Sequence, residues 1–84
     1  MLNAQDLDRG AVMPGFVIKY NRKTGKVQYA QYPNLRTATQ KRMQLEQERT
    51  DEDIEIVSVT GASLSEIEST HSRYFASAHP TLLT

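Results

Sequence analysis

Ile54-Glu55-Ile56-Val57-Ser58-Val59, followed by Gly61 and then Ser63-Leu64-Ser65-Glu66-Ile67, decides how the rest of this chain is read. Six residues rich in β-branched side chains are the length of one strand, and Gly61 supplies a break after them. Ser63 and Glu66 stand at the spacing of a capping box, in which the serine accepts from the third helical N–H and the glutamate reaches back to the cap residue's own N–H. From there Leu64, Ile67, His71, Tyr74 and Phe75 recur at steps of three and four, while Glu66, Glu68 and Arg73 point elsewhere. The pattern predicts an amphipathic helix running from the Ser63 cap to Phe75.

Upstream, Phe16, Ile18 and Tyr20 alternate with Val17 and Lys19, and Lys26 to Tyr32 alternates again with Val27 and Tyr29 on one side. Asn21-Arg22-Lys23-Thr24-Gly25 between them is turn chemistry. An asparagine side chain bonds the backbone of its own turn, and a glycine takes the positive φ that closes it. The two runs are a hairpin. Pro33 ends the second strand, and Asn34 caps a helix to about Arg49 whose apolar face, Leu35, Ala38 and Leu45, is shared with Arg42, with Met43 to one side. Good helix formers from Gln40 to Glu48 support it where the pattern is thin. The acidic link Thr50-Asp51-Glu52-Asp53 then leads to the Ile54 strand.

The expected architecture is therefore α+β, a small three-stranded sheet with two helices in the order ββαβα. A right-handed crossover brings the third strand parallel to the second, either beside the first strand (order 2-1-3) or beyond the second (1-2-3). Both helices are expected on one face, leaving Val17, Lys19, Gln28 and Ala30 on an open one. Residues 1–14 read as a flexible N-terminal arm, 15–75 as the single domain, and 76–84 as a tail that frays.

The 84 residues hold no cysteine, so disulfides, thiolate metal sites and a cysteine nucleophile are excluded. No apolar run approaches the roughly 20 residues of a membrane span and no signal-peptide pattern opens the chain, so a cytoplasmic protein with no membrane partner is expected. Net charge is zero but unevenly spread. Between Phe16 and Leu45 lie seven basic residues and no acidic one, whereas Glu46 to Thr70 holds eight acidic residues against Arg49 alone. If the fold keeps these segments apart, the molecule is electrically two-sided, and the basic hairpin of one copy can meet the acidic segment of another.

Residues 16–75 resemble a small segment that follows the catalytic domain in bacterial proteins with RelA/SpoT-like nucleotidyltransferase domains. The resemblance is carried by Thr24-Gly25-Lys26-Val27-Gln28-Tyr29, the helix ending Leu45-Glu46-Gln47-Glu48, Glu55-Ile56-Val57-Ser58-Val59, Ala62-Ser63-Leu64-Ser65-Glu66-Ile67 and Thr70-His71-Ser72-Arg73-Tyr74-Phe75. It implies a bacterial accessory module. The catalytic carboxylates and nucleotide-binding region of such enzymes have no counterpart in this chain, so no catalytic residue carries over.

Three constellations carry chemistry. His71, Arg73 and Tyr74 combine a base, a cation and an acid, but His71 and Tyr74 also belong to the stripe that begins at Leu64, where they read as the polar rim of a packed helix. Asp51-Glu52-Asp53 lacks the alternation and central glycine of a calcium loop and reads as a solvated turn. Lys19, Arg22, Lys23 and Lys26, with Lys41 and Arg42 from the helix and Tyr20 and Tyr29 nearby, suit contact with a polyanion or an acidic partner. The sequence thus points to a small interaction or regulatory module, not an enzyme, without metal or cofactor. A protein partner or self-association is the first expectation, and RNA or DNA binding through the hairpin at 19–26 is the alternative.

Overall fold

The computed structural model describes residues 13–76 and 79–83. Its elements are β1 (Gly15–Asn21), β2 (Val27–Tyr32), α1 (Leu35–Glu48), β3 (Ile54–Thr60), α2 (Leu64–Thr70), a single 3-10 turn (Ser72–Tyr74) and β4 (Thr81–Leu82). The expected arm falls mostly on residues 1–12, outside the described ones, as do Ser77, Ala78 and Thr84.

The hairpin closes as its turn residues require. Asn21 Oδ1 accepts from the N–H groups of Lys23 (2.9 Å) and Thr24 (3.0 Å). Gly25 adopts φ 80° and donates to Asn21 O at 2.7 Å. β1 then pairs antiparallel with both neighbours, with Tyr20 opposite Val27 on one side and Glu55 on the other. The strand order is β3-β1-β2-β4, so the first of the two expected orders, 2-1-3, is the one adopted. The sheet has four strands, not three. Thr81–Leu82, within the tail expected to fray, pair parallel to Gln28 and Tyr29, and Leu83 N–H donates to Tyr29 O at 2.7 Å.

The helices lie on opposite faces, which corrects the one-sided arrangement expected from the sequence. Phe16, Ile18, Val27, Ile67 and Tyr74 form one buried cluster under α2, and Val17, Ala38 and Ile56 form another under α1. Val17, assigned to an open face, is fully buried. The cause is local to β1: Phe16, Val17 and Ile18 are consecutive apolar residues, so the pleat turns large side chains both ways and each face needs a cover. Gly15 admits the cover on the α1 side. A Cβ there would stand 2.3 Å from Asn34 O and 2.8 Å from Ala38 Cβ.

Capping sets both helix starts. Asn34 Oδ1 accepts from Thr37 N–H at 2.8 Å, and Ser63 Oγ accepts from Glu66 N–H at 3.2 Å. The Glu66 carboxylate accepts from Ala62 N–H at 3.3 Å, one residue before the expected cap position. α2 stops at Thr70 and does not reach Phe75. Thr70 Oγ1 donates to Glu66 O at 3.0 Å, competing for a helical carbonyl, and His71 leaves helical geometry at φ −126°, ψ 45°. The 3-10 turn that follows swings Tyr74 into the core.

Candidate interaction surfaces

Backbone N–H and C=O groups alternate sides along a strand, and hydrogen bonds at the two ends of β3 give the sense. Asp53 O accepts from Arg22 N–H (2.8 Å) and Gly61 N–H donates to Pro14 O (3.3 Å), so the odd positions of β3 turn toward β1. Ile54, Ile56, Ser58 and Thr60 turn outward. Ile54 is satisfied within the chain: its N–H donates to Asp51 O at 3.1 Å, and its C=O accepts from the Arg49 guanidinium at 2.8 Å. Among the described residues no strand pairs with the outer side of Ile56, Ser58 and Thr60.

A flank of α1 overhangs this edge. Ala38 packs against Val17 of β1, and Thr39 Oγ1 lies 3.0 Å from Ser58 Oγ of β3. Leu35 and Met43 stand one turn before and one turn after Thr39, so they share its flank. They are 42% and 52% exposed, a high value for large apolar side chains beside an open strand. Sequence reasoning counted Leu35 as core and set Met43 aside; the signal was their four-residue spacing about Thr39.

The six basic residues singled out by sequence do not converge on one patch. Lys19 and Lys26 line a hollow with Asn21, Gln28 and Ile54. Lys23 is exposed at the hairpin tip. Arg22 turns to the acidic link, its guanidinium donating to Glu52 O and its N–H to Asp53 O. Lys41 and Arg42 are half-buried on α1, and Arg42 pairs with Glu46 at 2.8 Å. The expected two-sided charge is therefore not realised at this end. The antiparallel pairing of β1 with β3 sets Asn21 opposite Ile54, which brings the basic tip beside Asp51, Glu52 and Asp53. Lys19 likewise borders a hollow of about 250 Å³ shared with Glu48 and Asp51.

Arg73 and Tyr74 do come together, around a residue the sequence had not implicated, and His71 lines the same shallow hollow. Glu55 accepts from the Tyr74 hydroxyl at 2.5 Å and pairs with the Arg73 guanidinium, which also sits 4.8 Å from the centre of the Tyr74 ring. Burial pushes the Tyr74 hydroxyl above its ordinary value of 10.0, and the bond to Glu55 and its negative charge add to the rise against the opposing charge of Arg73. Tyr74 also meets Tyr20 edge-on at 5.3 Å. His71 Nδ1 lies 2.8 Å from Thr70 Oγ1. These contacts hold the 3-10 turn against β3, and the polar ends of Glu55, Arg73 and Tyr74 are spent on one another. Among the described residues no three His, Asp or Glu side chains gather as metal ligands, and no helix is long and apolar enough to cross a membrane.

Comparison with protein-family models, with curated proteins and with solved structures gives no match.

Proposed function

We propose that this chain is a small non-catalytic interaction module whose docking surface is the outer edge of β3 together with the Leu35–Met43 flank of α1. The observation that carries the reading is the coincidence of the two: outward backbone groups at Ile56, Ser58 and Thr60 lie beside exposed Leu35 and Met43. Main-chain bonds to an added strand supply affinity, and the neighbouring apolar flank supplies selectivity. The resemblance of residues 16–75 to a segment that accompanies nucleotidyltransferase domains supports an accessory role. The test is a photo-crosslinking amino acid placed at Met43 and, as a control on an exposed position of α1 away from the Leu35–Thr39–Met43 flank, at Gln44, in cells that make the protein. Adducts from position 43 and none from position 44 are expected. No adduct at position 43 overturns the reading.

A second reading, binding of a polyanion such as RNA or DNA, is favoured by one observation, the hollow that Lys19 and Lys26 share with Asn21 and Gln28. It predicts amide shifts confined to residues 19–28 on titration with short single-stranded RNA or DNA, weakening as salt rises. Binding that survives Lys23→Ala together with Lys26→Ala removes the hairpin from consideration.

A further inference from the structure

The geometry points to a second copy of this chain as the occupant of the β3 edge, paired antiparallel about a two-fold axis beside Ser58. The inference deepens the interaction reading above and rests on it. Three independent features of the surface are symmetric about the same point.

The first is the backbone. With Ser58 opposite Ser58 of the other copy, Ile56 faces Thr60 and Thr60 faces Ile56, so the outward groups of β3 that pair with no strand among the described residues each meet a complementary one. Ile54, whose outward groups are already bonded to Asp51 and Arg49, is left outside the ladder. The second is the helix. Thr39 touches Ser58, so the axis passes beside Thr39, and Leu35 and Met43 lie equidistant from it along α1. The antiparallel α1 of the second copy then sets its Met43 against Leu35, covering the large apolar side chains that one copy leaves exposed. The spacing suits this contact. α1 lies over β1 and β3, strands are about 4.8 Å apart, and the two α1 axes therefore fall about 10 Å apart, at helix-packing distance.

The third is charge. On the opposite face this register pairs Val57 with Val59, and it keeps the only charged residue of β3, Glu55, away from its counterpart. Glu55 is neutralised by Arg73, and Arg42 by Glu46, within each copy. A net charge of zero adds no long-range repulsion. The strand also holds no lysine or proline, two of the residues by which edge strands commonly refuse a partner.

Sedimentation equilibrium of the full chain from micromolar to millimolar concentration tests the pairing. A monomer–dimer equilibrium is expected, weakened at least about tenfold by Met43→Glu or Leu35→Glu, each on an exposed site. Because the chain has no cysteine, single cysteines report the register. A mixture of Val57→Cys and Val59→Cys proteins should crosslink to each other on mild oxidation, and neither should crosslink to itself. A protein that remains monomeric throughout the range overturns the self-pairing, and a Val57→Cys protein that crosslinks to itself overturns the Ser58-centred register. A monomer that nonetheless gives position-43 adducts with another protein leaves the interaction reading standing and removes the second copy. A monomer with no such adduct removes both.

Discussion

Gly15 shows how one absent side chain positions a helix. Any Cβ at this point meets the Asn34 carbonyl, a backbone atom that cannot rotate away, and the Ala38 methyl behind it. Gly15→Ala should therefore destabilise the protein by about 1–3 kcal/mol, the usual range for overpacking, measured by urea denaturation; an unchanged midpoint would mean that α1 can lift off the sheet. Tyr74 gives a residue-scale prediction of a different kind. Its folded-state pKa is raised, so the native state holds the proton more tightly than the unfolded chain does. The associated stability is present in full below pH 10 and declines as pH rises from there through the folded value. Tyr74→Phe should lose the Glu55 bond at neutral pH, at a cost of about 1.5–3 kcal/mol for a bond to a charged group. It should also show a shallower decline than the wild type in alkaline denaturation. Equal slopes in the two proteins would contradict the assignment.

The elements differ in what holds them. α1 buries only Ala38 completely, and none of its first turn is acidic nor its last turn basic, so the Asn34 cap carries much of its definition. Asn34→Ala should cost about 0.5–2 kcal/mol and speed amide exchange in the first turn of α1 while leaving β1 and β2 protected; uniform acceleration would show that α1 and the sheet open together. Hairpin and caps were legible because each depends on a few neighbouring residues: Asn21 with Gly25, Asn34 with Thr37, Ser63 with Glu66. Strand order was not, since both 2-1-3 and 1-2-3 fit the sequence and only the pairing of β3 with β1 selects the first. The end of α2 was not legible either. The stripe from Leu64 to Phe75 fits a continuous helix, and the same aromatics also reach the core through a 3-10 turn once Glu55 of a distant strand holds Arg73 and Tyr74.

At the scale of the molecule, two small cores share β1, one on each face. The protein should behave as one cooperative unit because Phe16, Val17 and Ile18 belong to a single rigid strand. Ile67→Ala, in the cluster under α2, should cost about 2–5 kcal/mol and lower the thermal midpoint seen by helix and aromatic probes alike; separate transitions would show that the faces unfold independently. Local chemistry in the sequence determined the hairpin, the two capped helices, the β3 strand and the absence of thiol chemistry, since turn, cap and periodicity signals act over five residues or fewer. Tertiary structure alone decided which face each helix covers, because Phe16-Val17-Ile18 offers apolar surface on both sides. Only the packed chain brings the basic hairpin tip beside the acidic link, since the antiparallel β1–β3 register joins segments about 30 residues apart. Thr39 and Ser58, and with them the flank of Leu35 and Met43 beside the outer edge of β3, meet for the same reason: the contact exists only once α1 has crossed the sheet.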